Sequence, residues 1–217
     1  MKHTELQIPQ NVLSIGSTLD TDVKVYIHQD VYKAIEYFSS YDISKECGSV
    51  LLGDYIENED GLHIIISDFI EARYTDATSS SLTFTHDTWD FINMRREKHF
   101  PEKRILGWHH THPGYGIFLS AYDMFIQENF FDLPFQVAYV TDPVKNKRGF
   151  FRWLDKTIQP LTGFFIYDDS KKPVSLPKIK TKKQDMVDIP KWLLYFLGSL
   201  LLLTTVISVF SLLLLLL

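Results

Sequence analysis

The chain has 217 residues, 22 Lys/Arg, 27 Asp/Glu and a single cysteine, Cys47. One cysteine rules out a disulfide within the chain and a Cys-rich structural zinc site, and it fits a reducing compartment. The net charge of −5 is uneven: residues 1–168 hold 15 Lys/Arg against 24 Asp/Glu, an acidic body that argues against nucleic acid as a partner.

In chain order, Asp22 to His28 reads as a strand. Gln29 to Tyr41 reads as an amphipathic helix, with Val31, Ile35 and Phe38 along one stripe. Gly48 to Ile56 and Leu62 to Tyr74 read as two strands joined across the turn-rich Glu57-Asn58-Glu59-Asp60-Gly61. Thr75 to Ser81 is small and polar, and reads as a surface loop. His86 to Phe100 is helical, with Pro101 marking its end. Arg104 to His110 is a strand and Ala121 to Phe131 a helix. Phe135 to Thr141 and Gly149 to Asp155 suggest a hairpin around Lys145-Asn146-Lys147-Arg148, followed by a strand near Gly163 to Tyr167. Strands and helices in this mixed order predict one α/β domain over residues 1–168, with a mixed sheet between helices.

The end of the chain differs. Residues 169–191 carry seven lysines against three aspartates, and Pro173, Pro177 and Pro190 keep this linker from forming one helix. From Trp192 to Leu217 there are 26 residues without one charged side chain. A bilayer core of about 30 Å needs roughly 20 apolar helical residues, so residues 192–217 are expected to be a transmembrane anchor. The basic flank lies before the span, and the positive-inside rule then leaves residues 1–191 in the cytoplasm. The N-terminus has no apolar run, so no secretory signal is expected and the reading is of a tail-anchored protein.

The chemistry concentrates between His110 and Asp123. Alternate residues of a strand share a face, so His110 and His112 can present two imidazoles side by side. Asp123 can return a carboxylate to them after a turn. Two nitrogens and one oxygen leave the fourth position of a tetrahedral zinc for water, the pattern of a catalytic site. Histidines at this spacing also occur on ordinary strands. Ser120-Ala121-Tyr122-Asp123 is equally a capping box, and both readings hold if the capping turn aims Asp123 at the histidines. Gly114 and Gly116 permit tight geometry where the chain doubles back. A zinc-bound water needs a base, and the candidate is Glu46, just ahead of an apolar run, although periodicity alone does not choose it from the other acidic residues.

Three segments together resemble a known family. They are Glu46 ahead of Gly48-Ser49-Val50-Leu51-Leu52-Gly53, then Gly107-Trp108-His109-His110-Thr111-His112-Pro113-Gly114, then Leu119-Ser120-Ala121-Tyr122-Asp123. This is similar to the JAMM (MPN-plus) zinc metalloprotease motif of the Mov34/MPN/PAD-1 family. The resemblance runs from about Val23 to Tyr167 and includes Gln136 to Pro143 with Gly149-Phe150-Phe151. It implies a cytidine-deaminase-like mixed sheet flanked by helices. It implies that His110, His112 and Asp123 bind Zn2+, that Glu46 is general base and then acid, and that Ser120 hydrogen-bonds the oxyanion. His109 stands where many relatives have tyrosine, and on a regular strand it points away from the zinc face. In relatives that cut ubiquitin, an insertion at the position of Thr75 to Ser81 pairs with the extended substrate tail. The implied activity is cleavage after the C-terminal glycine of ubiquitin or a ubiquitin-like modifier. A peptidase trimming ubiquitin-like precursors and a non-catalytic, zinc-stabilised membrane adaptor are the alternatives. Small stand-alone domains of this kind resemble bacterial members linked to ubiquitin-like conjugation or to antiphage defence, and the former would make conjugation enzymes encoded nearby further partners.

Overall fold

A computed structural model describes residues 6–18, 23–170 and 172–176, all within the unit Met1–Thr181. The expected anchor at 192–217 and most of the linker lie outside the described residues. Among the described residues, no helix is long and apolar enough to cross a membrane.

The strands are β1 (Val12–Gly16), β2 (Val23–His28), β3 (Gly48–Asn58), β4 (Gly61–Glu71), β5 (Asp76–Ala77), β6 (Leu82–Thr83), β7 (Arg104–Thr111), β8 (Val137–Asp142), β9 (Lys147–Leu154), β10 (Thr157–Pro160) and β11 (Gly163–Tyr167). The helices are α1 (Gln29–Tyr41), α2 (His86–His99) and α3 (Ala121–Phe130). Nine strands form one sheet in the order β1-β11-β2-β4-β3-β7-β8-β9-β10, and β5 pairs with β6 in a separate hairpin. The large sheet is mixed: β11–β2, β2–β4 and β7–β8 are parallel, and the other neighbours are antiparallel.

Strand alternation divides the core between two faces. Leu51, Ile64, Ile66, Leu106 and Tyr139 pack with Val31, Tyr32 and Ile35 of α1. Val50 and Leu52, on either side of Leu51, pack with Ile92 of α2. Trp108, Ala138 and Val140 pack with Ile126 of α3 and with Phe131. The sheet therefore lies between α1 on one face and α2 and α3 on the other, as the mixed pattern of elements predicts.

The boundaries differ where turn chemistry is hidden in non-glycine residues. β10 is not anticipated, because the Asp155-Lys156 turn before it adopts positive φ at both residues (47° and 62°) without a glycine. That geometry matches the twist of a hairpin but is usually signalled by Asn-Gly or Asp-Gly. β4 stops at Glu71 rather than Tyr74, because Tyr74 turns left-handed (φ 61°) and its carbonyl accepts the Thr85 hydroxyl. β9 begins at Lys147, two residues early, since the Asp142 carboxylate closes the preceding turn on the Val144 and Lys145 N–H groups. β1 also goes unanticipated; it is a half-exposed edge strand, antiparallel to β11. The loop expected at Thr75 to Ser81 contains β5 and the turn of the small hairpin.

Candidate metal centre

β7 ends at Thr111, so His110 is on the strand and His112 just past it. The His112 N–H donates to the Thr141 carbonyl at 2.8 Å, which continues the alignment with β8 and keeps both rings on the α3 face. α3 begins next to them. Ser120 caps it, its hydroxyl accepting the Asp123 N–H at 3.1 Å while the Ser120 N–H donates to Asp123 Oδ2 at 2.7 Å. The capping box and the ligand geometry are thus one structure: Asp123 reaches back into the first turn, and that same turn faces the histidines.

His110 Nε2 and His112 Nε2 lie 3.1 Å apart. Asp123 Oδ1 is 3.5 Å from His110 Nε2, and Oδ2 is 3.3 Å from His112 Nε2. All three residues are buried, and their ligand atoms form a group that could hold a metal ion. Zinc bond lengths of about 2.0–2.1 Å place tetrahedral ligands about 3.3 Å apart. The ring-to-ring spacing and the two Asp123 spacings, each to a different carboxylate oxygen, lie near that value. Ring-to-ring and ring-to-carboxylate hydrogen bonds give the same distances, so the metal reading rests on the donor set and its burial.

The electrostatics agree with that donor set. Burial, opposed by Asp123, lowers the His110 pKa, so the neutral ring keeps a lone pair available. Burial alone would raise the Asp123 carboxyl, but hydrogen bonds from His110, His112 and Ser120 hold it well below the usual carboxylate range. The Nδ1 atoms of both rings find no hydrogen-bond partner among the described residues. Trp108 stacks on His110 at 4.2 Å between centroids, and its indole N–H is fixed by Gln127 Oε1 at 2.8 Å. Phe118 packs against the His112 ring at 4.5 Å.

Glu46 enters from the segment just ahead of β3. It is buried, and its Oε1 is 3.9 Å from His112 Nε2 while Oε2 has no hydrogen-bond partner among the described residues. Burial, with Asp123 adding to it and His112 opposing, pushes its pKa up to about 7. A carboxyl poised near neutrality beside a group of candidate metal ligands can accept and return a proton. Its own N–H donates to the Thr78 carbonyl at 2.7 Å, which ties the β5–β6 hairpin to the residue.

The structure thus brings together Glu46, His110, His112, Ser120 and Asp123. His109 is kept apart on the α1 face, where it meets Ser49 Oγ at 3.2 Å, Ser39 Oγ at 3.1 Å and Thr141 Oγ1 at 3.0 Å. Sequence reading misses the supports of the site: Trp108, Phe118, Thr111, whose hydroxyl accepts the Cys47 N–H at 2.9 Å, and Asp142. Only Asp142 left a signal, an Asp-Pro pair after an apolar run, and that signal says turn rather than ligand support.

A mixed sheet carrying a buried His-His-Asp cluster beside a buried glutamate defines a candidate centre of metal-dependent hydrolytic type. A profile of the JAB1/Mov34/MPN/PAD-1 ubiquitin protease family matches residues 20–133, and the chain belongs to that family. Among curated relatives, it is 28% identical over 132 residues to the 26S proteasome regulatory subunit RPN11 of Eremothecium gossypii, covering 60% of this chain and 41% of that protein. It is 26% identical over 132 residues to the ubiquitin carboxyl-terminal hydrolase RPN11 of Saccharomyces cerevisiae, covering 60% and 42%. It is 31% identical over 129 residues to COP9 signalosome complex subunit 5 of Candida albicans, covering 52% and 21%. The chain thus spans less than half the length of these relatives. A protein of Desulfitobacterium hafniense determined in solution shares the fold at a TM-score of 0.51 and 13% identity, covering 68% of this chain and 95% of that one.

Proposed function

We propose that the chain is a zinc-dependent isopeptidase that hydrolyses the bond after the C-terminal glycine of ubiquitin or a ubiquitin-like modifier. The observation that carries this reading is the buried cluster of His110, His112 and Asp123 with the Glu46 carboxylate beside it. Similarity to the yeast ubiquitin carboxyl-terminal hydrolase RPN11 supports the substrate class. His110 and His112 would hold the ion through Nε2, and Asp123 through its carboxylate. Bound zinc would polarise the scissile carbonyl and lower the pKa of water to about 7.

The rest of the chemistry falls to the protein. Glu46 takes a proton from the attacking water as the oxygen–carbon bond forms. It returns that proton to the lysine amine as the carbon–nitrogen bond breaks. Its raised pKa of about 7 suits both transfers. Ser120 would donate to the oxyanion once its hydroxyl leaves Asp123. The β5–β6 hairpin offers an edge to which an extended tail can add as a strand.

Residues 192–217 are proposed to anchor the protein, with the basic residues 169–191 keeping residues 1–168 on the cytoplasmic side. Modifier conjugates and a membrane are then the partners, and the chain's zinc site works at a bilayer surface.

The test is cleavage of a fluorogenic ubiquitin-like conjugate by the full chain, before and after chelation and with zinc restored. Turnover that disappears with chelation and returns with zinc is expected. Glu46→Gln should lose about 10²- to 10⁴-fold in rate with zinc still bound. Stoichiometric zinc without turnover of conjugates or of linear precursors would instead favour a zinc-stabilised adaptor.

A further inference from the structure

We propose that Asp142 is a positioning residue for His112, a role that rests on His112 being a metal ligand. Asp142 is the last residue of β8 and fully buried. Its Oδ1 accepts the N–H groups of Gly114 at 2.9 Å, Val144 at 3.0 Å and Lys145 at 2.9 Å. Its Oδ2 accepts the Gly116 N–H at 2.7 Å.

Two of these donors belong to the β8–β9 turn. The other two belong to the loop that follows His112. Three N–H groups converge on Oδ1 and the fourth on Oδ2, so both carboxylate oxygens are engaged. Asp142 therefore fastens the ligand loop to the end of β8. The neighbouring backbone grips the same loop from its other side, through the His112 N–H on the Thr141 carbonyl at 2.8 Å. The Tyr115 N–H then returns to the His112 carbonyl at 3.1 Å, so the loop starts from the ligand itself.

The glycines serve this clasp. Gly114 and Gly116 adopt φ of +85° and +95°, yet a Cβ at either would meet nothing within 4 Å. Crowding does not demand glycine there. Left-handed backbone does, because it turns both N–H groups inward to a concavity that holds an anion. Here the anion is the chain's own carboxylate. With the loop held, Phe118 lies on the His112 ring at 4.5 Å, and the imidazole is confined between Phe118 and the metal cluster. Without the clasp, His112 keeps its N–H bond to β8 and the Tyr115 N–H on its carbonyl, but the loop leading to Phe118 loses its hold on β8 and the ring orientation loosens.

An Asn cannot reproduce the arrangement, because its NH2 would face the Gly116 N–H or the Oδ1 donors, donor against donor. The test compares the full chain with Asp142→Asn and with Ile35→Val, a core change on the opposite face of the sheet. Zinc affinity is read by chelator competition, and the visible spectrum of the cobalt-substituted protein reports coordination directly. Asp142→Asn should weaken zinc binding about 10- to 100-fold and alter the cobalt band. Ile35→Val should change neither. A second measurement needs no variant: hydrogen exchange of the Gly114 and Gly116 amides in the unaltered chain should be strongly protected without zinc. Zinc affinity within twofold of the parent in Asp142→Asn, an equal loss in Ile35→Val, or unprotected Gly114 and Gly116 amides would each overturn the assignment while leaving the metal site intact. A parent chain that binds no zinc would overturn the metal site, and the role of Asp142 with it.

Discussion

Ser120 is asked to do two things, and Ser120→Ala separates them. Its hydroxyl donates to Asp123 Oδ2 at 2.6 Å and accepts the Asp123 N–H at 3.1 Å. Alanine removes both bonds and keeps only the backbone half of the capping box. Loss of a serine N-cap costs typically about 1 kcal/mol. A hydrogen bond to a charged group contributes about 1.5–3 kcal/mol. Both effects pass through one hydroxyl and are not additive, so the expected loss is about 1–3 kcal/mol. With an m value of about 2 kcal/mol/M in urea, a 2 kcal/mol loss moves the midpoint by about 1 M without changing the slope.

Turnover gives the second reading. A hydroxyl has one proton, and in the structure it is donated to Asp123 Oδ2. A purely capping serine would leave kcat nearly unchanged once zinc is saturating. An oxyanion donor, released from Asp123 during the reaction, would cost about 10²- to 10³-fold in kcat at full zinc occupancy. The expected result is both effects together, with Ser120→Thr restoring most of each because it keeps the hydroxyl. An unchanged urea midpoint would refute the capping argument, and an unchanged kcat at saturating zinc would refute the oxyanion role.

Gly107→Ala should destabilise the domain by about 2–6 kcal/mol in the same urea assay: φ is +142° there, and an added Cβ would overlap the Val137 carbonyl oxygen in the β7–β8 pair. Arg148→Met should cost about 3–5 kcal/mol at pH 7, since Arg148 pairs with buried Glu36 at 2.9 Å and its removal strands the carboxylate. Burial already raises the Glu36 pKa, and losing Arg148 raises it further, so the folded variant binds more protons than the unfolded chain. Its stability deficit should therefore shrink as pH is lowered from 7 towards the unfolded glutamate value of about 4.3, which denaturation at stepped pH would show. Deleting residues 192–217 should release the protein from membranes and leave zinc binding and turnover of a soluble conjugate similar, as fractionation and the conjugate assay would show. A full-length chain found in the soluble fraction contradicts the anchor.

Local signals in the chain were readable and distant ones were not. The α1 stripe, the Ser120–Asp123 capping box and the paired histidines are each set by residues a few positions apart, and each lies where its spacing implies. β10 escaped notice because its turn stores left-handed backbone in Asp155 and Lys156. Asp142 escaped because its donors at Gly114 and Gly116 are more than twenty residues away, and no period links a strand end to a preceding loop.

Glu46 shows what decides such cases. From the chain alone it is one acidic residue among 27, with only its place before an apolar run to recommend it. The antiparallel pairing of β3 with β7 supplies what is missing. Gly48 lies opposite His110, and the Thr111 N–H reaches back to the Cys47 carbonyl at 3.0 Å. Two residues further out, the same register sets Glu46 opposite His112. Strand alternation then sends both side chains to the face where Asp123 waits. A slip of one residue would turn Glu46 to the α1 face, towards the packed surroundings of His109, and leave the cluster without a base. The buried, continuous apolar run Val50-Leu51-Leu52, filled on both faces by different clusters, is what forbids that slip. The candidate catalytic carboxylate is thus held in place by the core packing of a strand to which it does not itself belong.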